Sequence, residues 1–165
     1  MDIEIIQNKK EIPKFDTNVI AVKHIEYYPY GNTYDEEEIT SELISKILTE
    51  ITKGINIYLS LDTYGECDFM EVLSDGKWLS LGCLFDQDGE FHNYYTYNSD
   101  YADTAEEVNK FNYSDKNIWT ELESGGQSPI PKIEAITDME NGVKAVEYFI
   151  YTGKLYPGID WAHQI

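Results

Sequence analysis

Three histidines, two cysteines and 31 carboxylates are the residues of this sequence that could do chemistry. His24, His92 and His163 lie far apart in the chain and in different expected elements, so no metal-ligand spacing emerges. Cys67 and Cys83 form no metal-type pair and no disulfide framework. The stretch "DQDGEF" puts Asp86, Asp88 and Glu90 at the first, third and fifth positions of a calcium loop. Its sixth position is Phe91 where glycine is required, and its twelfth is Tyr97 where glutamate is required, so it reads as a hairpin turn. "ESGGQSP" lacks the lysine and helix start of a phosphate cradle. Carboxylate pairs at hydrolase spacing carry no signal, because among 31 acids some pair falls at that distance by chance. The residues therefore predict no catalytic site, no metal and no cofactor.

Aromatic residues beside acids are the feature that remains. "YYPYGNTY" (27 to 34) runs directly into "DEEE", and Tyr101 sits within "SDYADTAEE". A loop tyrosine supplies a large, stiff contact, and a neighbouring carboxylate supplies charge complementarity to a basic partner. The candidate protein-binding residues are Tyr28, Tyr30, Tyr34, Asp35 and Glu36 in one cluster, and Asp100, Tyr101 and Asp103 in the other. A sugar-binding platform is the competing use of surface aromatics.

Charge narrows the partner. All 12 basic residues are lysines, and the formal net charge is −19. Without arginine the chain lacks the planar fork that grips phosphates and guanine edges, and its charge repels nucleic acid and anionic membrane. The opening "MDIEIIQNKK" carries acids where a secretory signal needs bases, and no apolar run approaches a membrane span, which predicts a cytoplasmic protein.

These residues must be positioned by a fold. At 165 residues, with 42% hydrophobic residues, the chain suits a single domain, 1–165, with its own core. "MDIEII" and "TNVIAV" (17 to 22) read as short strands. A helix over about 36–53 follows, with Asp35 and Glu38 as its capping box and Gly54 at its end. From Ile55 to Tyr97 the period becomes two, with turn signals that divide the segment into a four-stranded antiparallel meander. A two-residue turn at Asp75-Gly76 would set Val72 against Leu79 and Met70 against Leu81. A three-residue loop, Gln87 to Gly89, would set Leu81 against Tyr95, Leu79 against Tyr97 and Phe85 against Phe91. That register sends Cys67 and Cys83 to opposite faces as free thiols.

Residues 98–117 read as a loop with one helical turn at "TAEEV", "IWTEL" as a strand, "ESGGQSPIP" as a loop and "KIEAI" as a strand. Thr137 and Glu140 predict a capping box for a second main helix, about 138–152. Gly153 should be its left-handed cap, Pro157 should prevent its resumption, and Trp161 should return to the core. The expected class is α+β: one domain, an antiparallel meander packed against two main helices.

The segment "PKIEAITDMENGVKAVEYFIYTGKLYPGIDW" resembles the C-terminal signature of a family of bacterial immunity proteins, the first-numbered family of the polymorphic-toxin classification, often paired with nucleic-acid deaminase toxins. The resemblance covers about the last thirty residues and is carried by Ala145, Tyr148, Phe149, Thr152, Gly153, Pro157 and Trp161. It implies a cytoplasmic, non-enzymatic inhibitor of a secreted or contact-delivered toxin domain, bound at a basic active-site surface. A deaminase is the first expectation for the toxin and a nuclease the second. The matched residues are those that a helix stop and a core tryptophan require, so they mark the fold and not the binding surface. A carbohydrate-binding module and a small hydrolase stay open as other classes.

Overall fold

A computed structural model describes residues 2–28 and 31–165. The chain runs β1 (Ile3–Ile6), β2 (His24–Tyr27), β3 (Thr33–Asp35), a 3-10 turn (Glu36–Glu38), α1 (Ser41–Ile51), and the strands β4 (Ile55–Ser60), β5 (Phe69–Ser74), β6 (Leu79–Gln87) and β7 (Glu90–Thr96). It continues through α2 (Ala105–Val108), β8 (Trp119–Ser124), β9 (Ser128–Pro131), a 3-10 turn (Lys132–Glu134), α3 (Met139–Thr152) and β10 (Trp161–Gln164). Eight strands form one antiparallel sheet in the order β1-β10-β7-β6-β5-β4-β2-β3, and β8 with β9 forms a separate hairpin.

Alternation in the strands divides the sheet into two faces. One buries Ile25, Ile57, Leu59, Met70, Val72 and Leu81 beneath Leu43, Ile44 and Ile47 of α1 and Val146, Phe149 and Ile150 of α3. Each of these side chains is worth about 1.5–3 kcal/mol when removed from water, so this layer dominates stability. The opposite face carries a smaller cluster of Ile3, Tyr97, Ala102, Ile133 and Ala162. Its neighbour is the β8–β9 hairpin, which Ser124 joins to the sheet by donating from Oγ to Glu71 Oε1 at 2.6 Å.

The expected α+β architecture is present, with the meander β4 to β7 at its centre. The stop after α3 also follows the sequence. Gly153 adopts φ 72°, the left-handed conformation that glycine reaches without steric cost. Trp161 is 2% exposed and donates from Nε1 to the Tyr156 carbonyl at 2.8 Å.

Several local expectations are corrected. Residues 17–22 are not a strand; the amides of Ala21 and Val22 donate to the Ile150 carbonyl near the end of α3, and strand pairing begins at His24. The first helix divides in two. Asp35 and Glu38 do form a capping box, but on the 3-10 turn, and α1 starts afresh with Thr40 Oγ1 accepting the Leu43 amide. Asp138, and not Thr137, caps α3 by accepting the Asn141 amide. "KIEAI" is a 3-10 turn, and the second half of "ESGGQSPIP" is strand β9.

Both meander registers differ from expectation. Ser74 opposes Leu79, so Val72 faces Leu81 and Met70 faces Cys83, a shift of two residues that preserves the faces. The loop is longer because Ser74 Oγ donates to the Ile51 carbonyl at 2.6 Å, wrapping the turn around the end of α1. At the next turn Asp88 and Gly89 alone span the hairpin, with φ of 56° and 86°. Gln87 then opposes Glu90, Phe85 faces His92 and Gly82 faces Tyr95, a one-residue slip that puts Tyr95 and Tyr97 on the opposite face from Leu81. Cys67 and Cys83 are free thiols, although Cys67 lies in a loop and not in β5.

Candidate protein-binding surface

The first acidic-aromatic cluster lies at the β3 edge of the sheet. Tyr28 donates its hydroxyl to the Gly125 carbonyl at 2.7 Å and meets Tyr58 edge to face, so it clamps the β8–β9 hairpin. Tyr34 packs edge to face on Tyr27 at 6.1 Å. The Tyr27 hydroxyl in turn reaches Glu50 of α1 at 3.2 Å, and burial, then the Glu50 charge, pushes that phenol above its ordinary range. Asp35 begins the 3-10 turn, and its Oδ1 lies 3.7 Å from His24 Nδ1, a buried nitrogen without a hydrogen-bond partner among the described residues. Glu36 is exposed with Glu37 and Glu38. Tyr30 lies outside the described residues.

The second cluster is built on Asn98. Its amide donates to the Ile133 carbonyl at 2.8 Å and its Nδ2 to the Ala135 carbonyl at 2.9 Å. Asn98 Oδ1 accepts the Asp100 amide, and the Asn98 carbonyl accepts the Tyr101 amide, which coils the loop. The Tyr97 hydroxyl donates to the Ala102 carbonyl and holds the loop from below. Tyr101 is left 42% exposed. Asp103 donates its amide to Glu107 Oε2 at 2.9 Å, and Thr104 Oγ1 accepts the Glu107 amide, so the loop ends in the cap of α2.

Beside this loop opens a cleft of about 320 Å³, lined by Asn8, Asn98, Asp100, Asp138, Asn141 and Asp160 among others. A contiguous hollow of about 510 Å³ adds Asp103 and shares Asp160. Four aspartates from three chain segments thus converge, and no lysine lines either space. Asp160 Oδ1 accepts both the amide and Nδ2 of Asn8, at 2.7 and 2.8 Å. Asp138 is occupied by Asn141. Asp100 and Asp103 accept no hydrogen bond through their carboxylates among the described residues, which leaves them open to a cationic donor.

The two clusters do not form one surface. Five inter-strand steps separate β3 from β7, about 24 Å at about 4.8 Å a step. Sequence reasoning missed Asp138 and Asp160, because each sits where a helix cap or a turn would place an aspartate anyway. Of the resemblance residues, Ala145, Tyr148, Phe149 and Trp161 are buried, and Thr152, Gly153 and Pro157 are half-buried.

Among the described residues, no group of three or more His, Cys, Asp or Glu side chains could hold a metal ion. His92 and His163, expected to lie apart, meet because β10 pairs with β7. Their Nδ1 and Nε2 atoms are 3.1 Å apart, and Tyr94 stacks on His163 at 4.4 Å. Among the described residues, no helix is long and apolar enough to cross a membrane. Compared with known proteins, the chain matches no family model, no curated protein and no solved structure.

Proposed function

We propose that this protein is an immunity protein, a non-enzymatic inhibitor that binds the basic active-site surface of a cognate toxin domain acting on nucleic acid. The observation that carries the reading is the cleft lined by Asp100, Asp138 and Asp160, with the adjoining hollow that Asp103 lines, beside an exposed tyrosine and with no lysine lining either space among the described residues. An enzyme that handles nucleic acid presents lysines and arginines along its substrate groove. An inserted basic side chain would meet the open carboxylates of Asp100 and Asp103, and Tyr101 would supply the stiff apolar contact at the rim. The net charge of −19 adds long-range steering, which speeds encounter with such a groove at low salt. A deaminase is the favoured target, on the resemblance of the C-terminal segment.

The test is the affinity of this protein for the toxin domain encoded beside its gene, measured at low and raised salt. It should be repeated with the Asp100→Asn, Asp138→Asn and Asp160→Asn triple variant. Asparagine keeps the cap on α3 and an acceptor for Asn8 while removing charge. Tight, salt-sensitive binding that silences the toxin, weakened in the variant, supports the reading. A folded, toxic neighbour that is not bound, or is bound equally by the variant, sinks it.

A further inference from the structure

On the sheet face away from α1 and α3, a second kind of pocket is built around one carboxylate. Ile3, Tyr95, Tyr97, Val108, Tyr113 and Glu134 line a cavity of about 340 Å³. Glu134 is placed there by the 3-10 turn Lys132–Glu134, whose position is fixed by the Glu134 carbonyl accepting from Thr96 Oγ1 at 2.5 Å. Its side-chain carboxylate makes no hydrogen bond and no ion pair among the described residues. Burial pushes its pKa up to about 7, and the Tyr95 and Tyr113 phenols are raised by burial and then by the Glu134 charge. The Tyr97 hydroxyl is already committed to Ala102.

Behind Glu134 a neighbouring space of about 260 Å³ is floored by Gly82, where a side chain would meet nothing within 4 Å. Glu71 faces that space, but its oxygens are taken by Ser124 Oγ at 2.6 Å and the Gly125 amide at 3.3 Å. Of the two carboxylates that line these two spaces, Glu134 is thus the one left without a protein donor among the described residues.

A half-buried carboxylate among tyrosines and aliphatic side chains is complementary to one ligand chemistry. An anion is repelled, and a neutral guest leaves the carboxylate unpaired. An ammonium on an alkyl stem satisfies all three components: charge for Glu134, phenol rings for the cation, and Ile3 and Val108 for the methylenes. No lysine of this chain lines the cavity. We infer that this pocket binds a primary alkylammonium group, either a lysine side chain on another protein or a free amine. The inference is independent of the acidic cleft and of the identity of its partner.

The test is calorimetric titration of the full chain with n-butylammonium chloride and with Nα-acetyl-lysine N-methylamide, against sodium chloride of equal ionic strength and against n-butanol. Saturable binding of a cation, at least about tenfold tighter than n-butanol, is expected from the charge-assisted contact. Glu134→Gln should abolish that preference, and Val108→Phe should block binding by filling the cavity with Glu134 intact. The groups facing Glu134 are Tyr95, Tyr97, Tyr113 and Glu71, so the proton linkage near neutrality is its own. Affinity should fall as pH drops through about 7, and at pH 6 binding should release a proton that is not released at pH 8.5. Tighter binding of the lysine derivative identifies a peptide lysine as the ligand; tighter or equal binding of butylammonium identifies a free amine. Equal affinity for n-butanol and butylammonium, no saturable binding of either cation, or unchanged binding by a folded Glu134→Gln protein would overturn the inference.

Discussion

The two acidic-aromatic stretches, 27–38 and 97–107, each carry four acids, beside four tyrosines in the first and two in the second, and the fold places them in opposite ways. In the first, Tyr27 lies on strand β2 and Tyr28 just beyond it, and they turn into contacts with Glu50 of α1 and Gly125 of the β8–β9 hairpin respectively. Their acids, Asp35 to Glu38, are left exposed at the β3 edge of the sheet. In the second, Tyr97 turns inward and only Tyr101 points out, so one ring anchors the loop while the other stays available. Asp100 and Asp103 line adjoining concavities, where Asp138 and Asp160 join them from elsewhere in the chain. The difference teaches that tyrosine beside carboxylate marks a surface only when no neighbouring element supplies an acceptor for the hydroxyl or a wall for the ring.

Four substitutions break or sharpen that contrast. The largest effect is expected for Tyr27→Ala, which removes a half-buried ring between Tyr34 and Glu50. Denaturant unfolding should show a loss of about 2–3 kcal/mol, with partner affinity unchanged. Tyr101→Ala should do the reverse: about 2 kcal/mol of partner affinity lost, as for a central interface anchor, and a change in unfolding free energy within about 0.5 kcal/mol. If Tyr101→Ala instead destabilised the fold and left affinity intact, the two stretches would not differ in the way argued.

Tyr28→Phe keeps the ring and removes the bond to Gly125. It should cost about 1 kcal/mol and speed amide exchange across residues 119–131, because the hairpin loses a clamp to the sheet. The smallest effect is kinetic. Asp103→Asn should leave stability unchanged and slow partner association several-fold at low salt, a difference that disappears by about 0.5 M as screening shortens the reach of charge. Stopped-flow association with Glu36→Asn as the comparison measures it; equal slowing by Glu36→Asn would put the edge cluster back in the interface.

Helix periodicity and stop signals made α1, α3 and the turn at Gly153 legible, because each depends on residues close in sequence. Register was harder, and two Asp-Gly pairs show why. Asp88-Gly89 makes a two-residue hairpin as the dipeptide alone favours, with both residues at positive φ. Asp75-Gly76 does not, since Gly76 lies against the carbonyls of Thr52 and Lys53 and Ser74 bonds to Ile51. A tertiary contact with α1 overrides the local preference there. The candidate cleft was half legible: Asp100, Tyr101 and Asp103 announce themselves as a loop cluster, whereas Asp138, at the start of α3, and Asp160, beyond its end, join them only through the tertiary path of the chain. Glu134 gave no signal, because "KIEAI" alternates like a strand and nothing local shows that it closes as a 3-10 turn under Tyr95.

The place of β10 in the sheet has a consequence for synthesis. Residues 161–164 lie between β1 and β7, and among the described residues β10 is the only pairing partner of β1. As the chain is made, the strands β4 to β7 can zip together, each pairing with the next in sequence, while Ile3–Ile6 waits for a strand roughly 155 residues further on. Closing so distant a contact is slow compared with local pairing. Until it closes, the outer edge of β7 is unpaired and open to another chain. The helix stop at Gly153 and the turn at Pro157 aim the returning strand at that edge, so the same few residues that end α3 also shorten the interval in which a nascent molecule can pair with its neighbours.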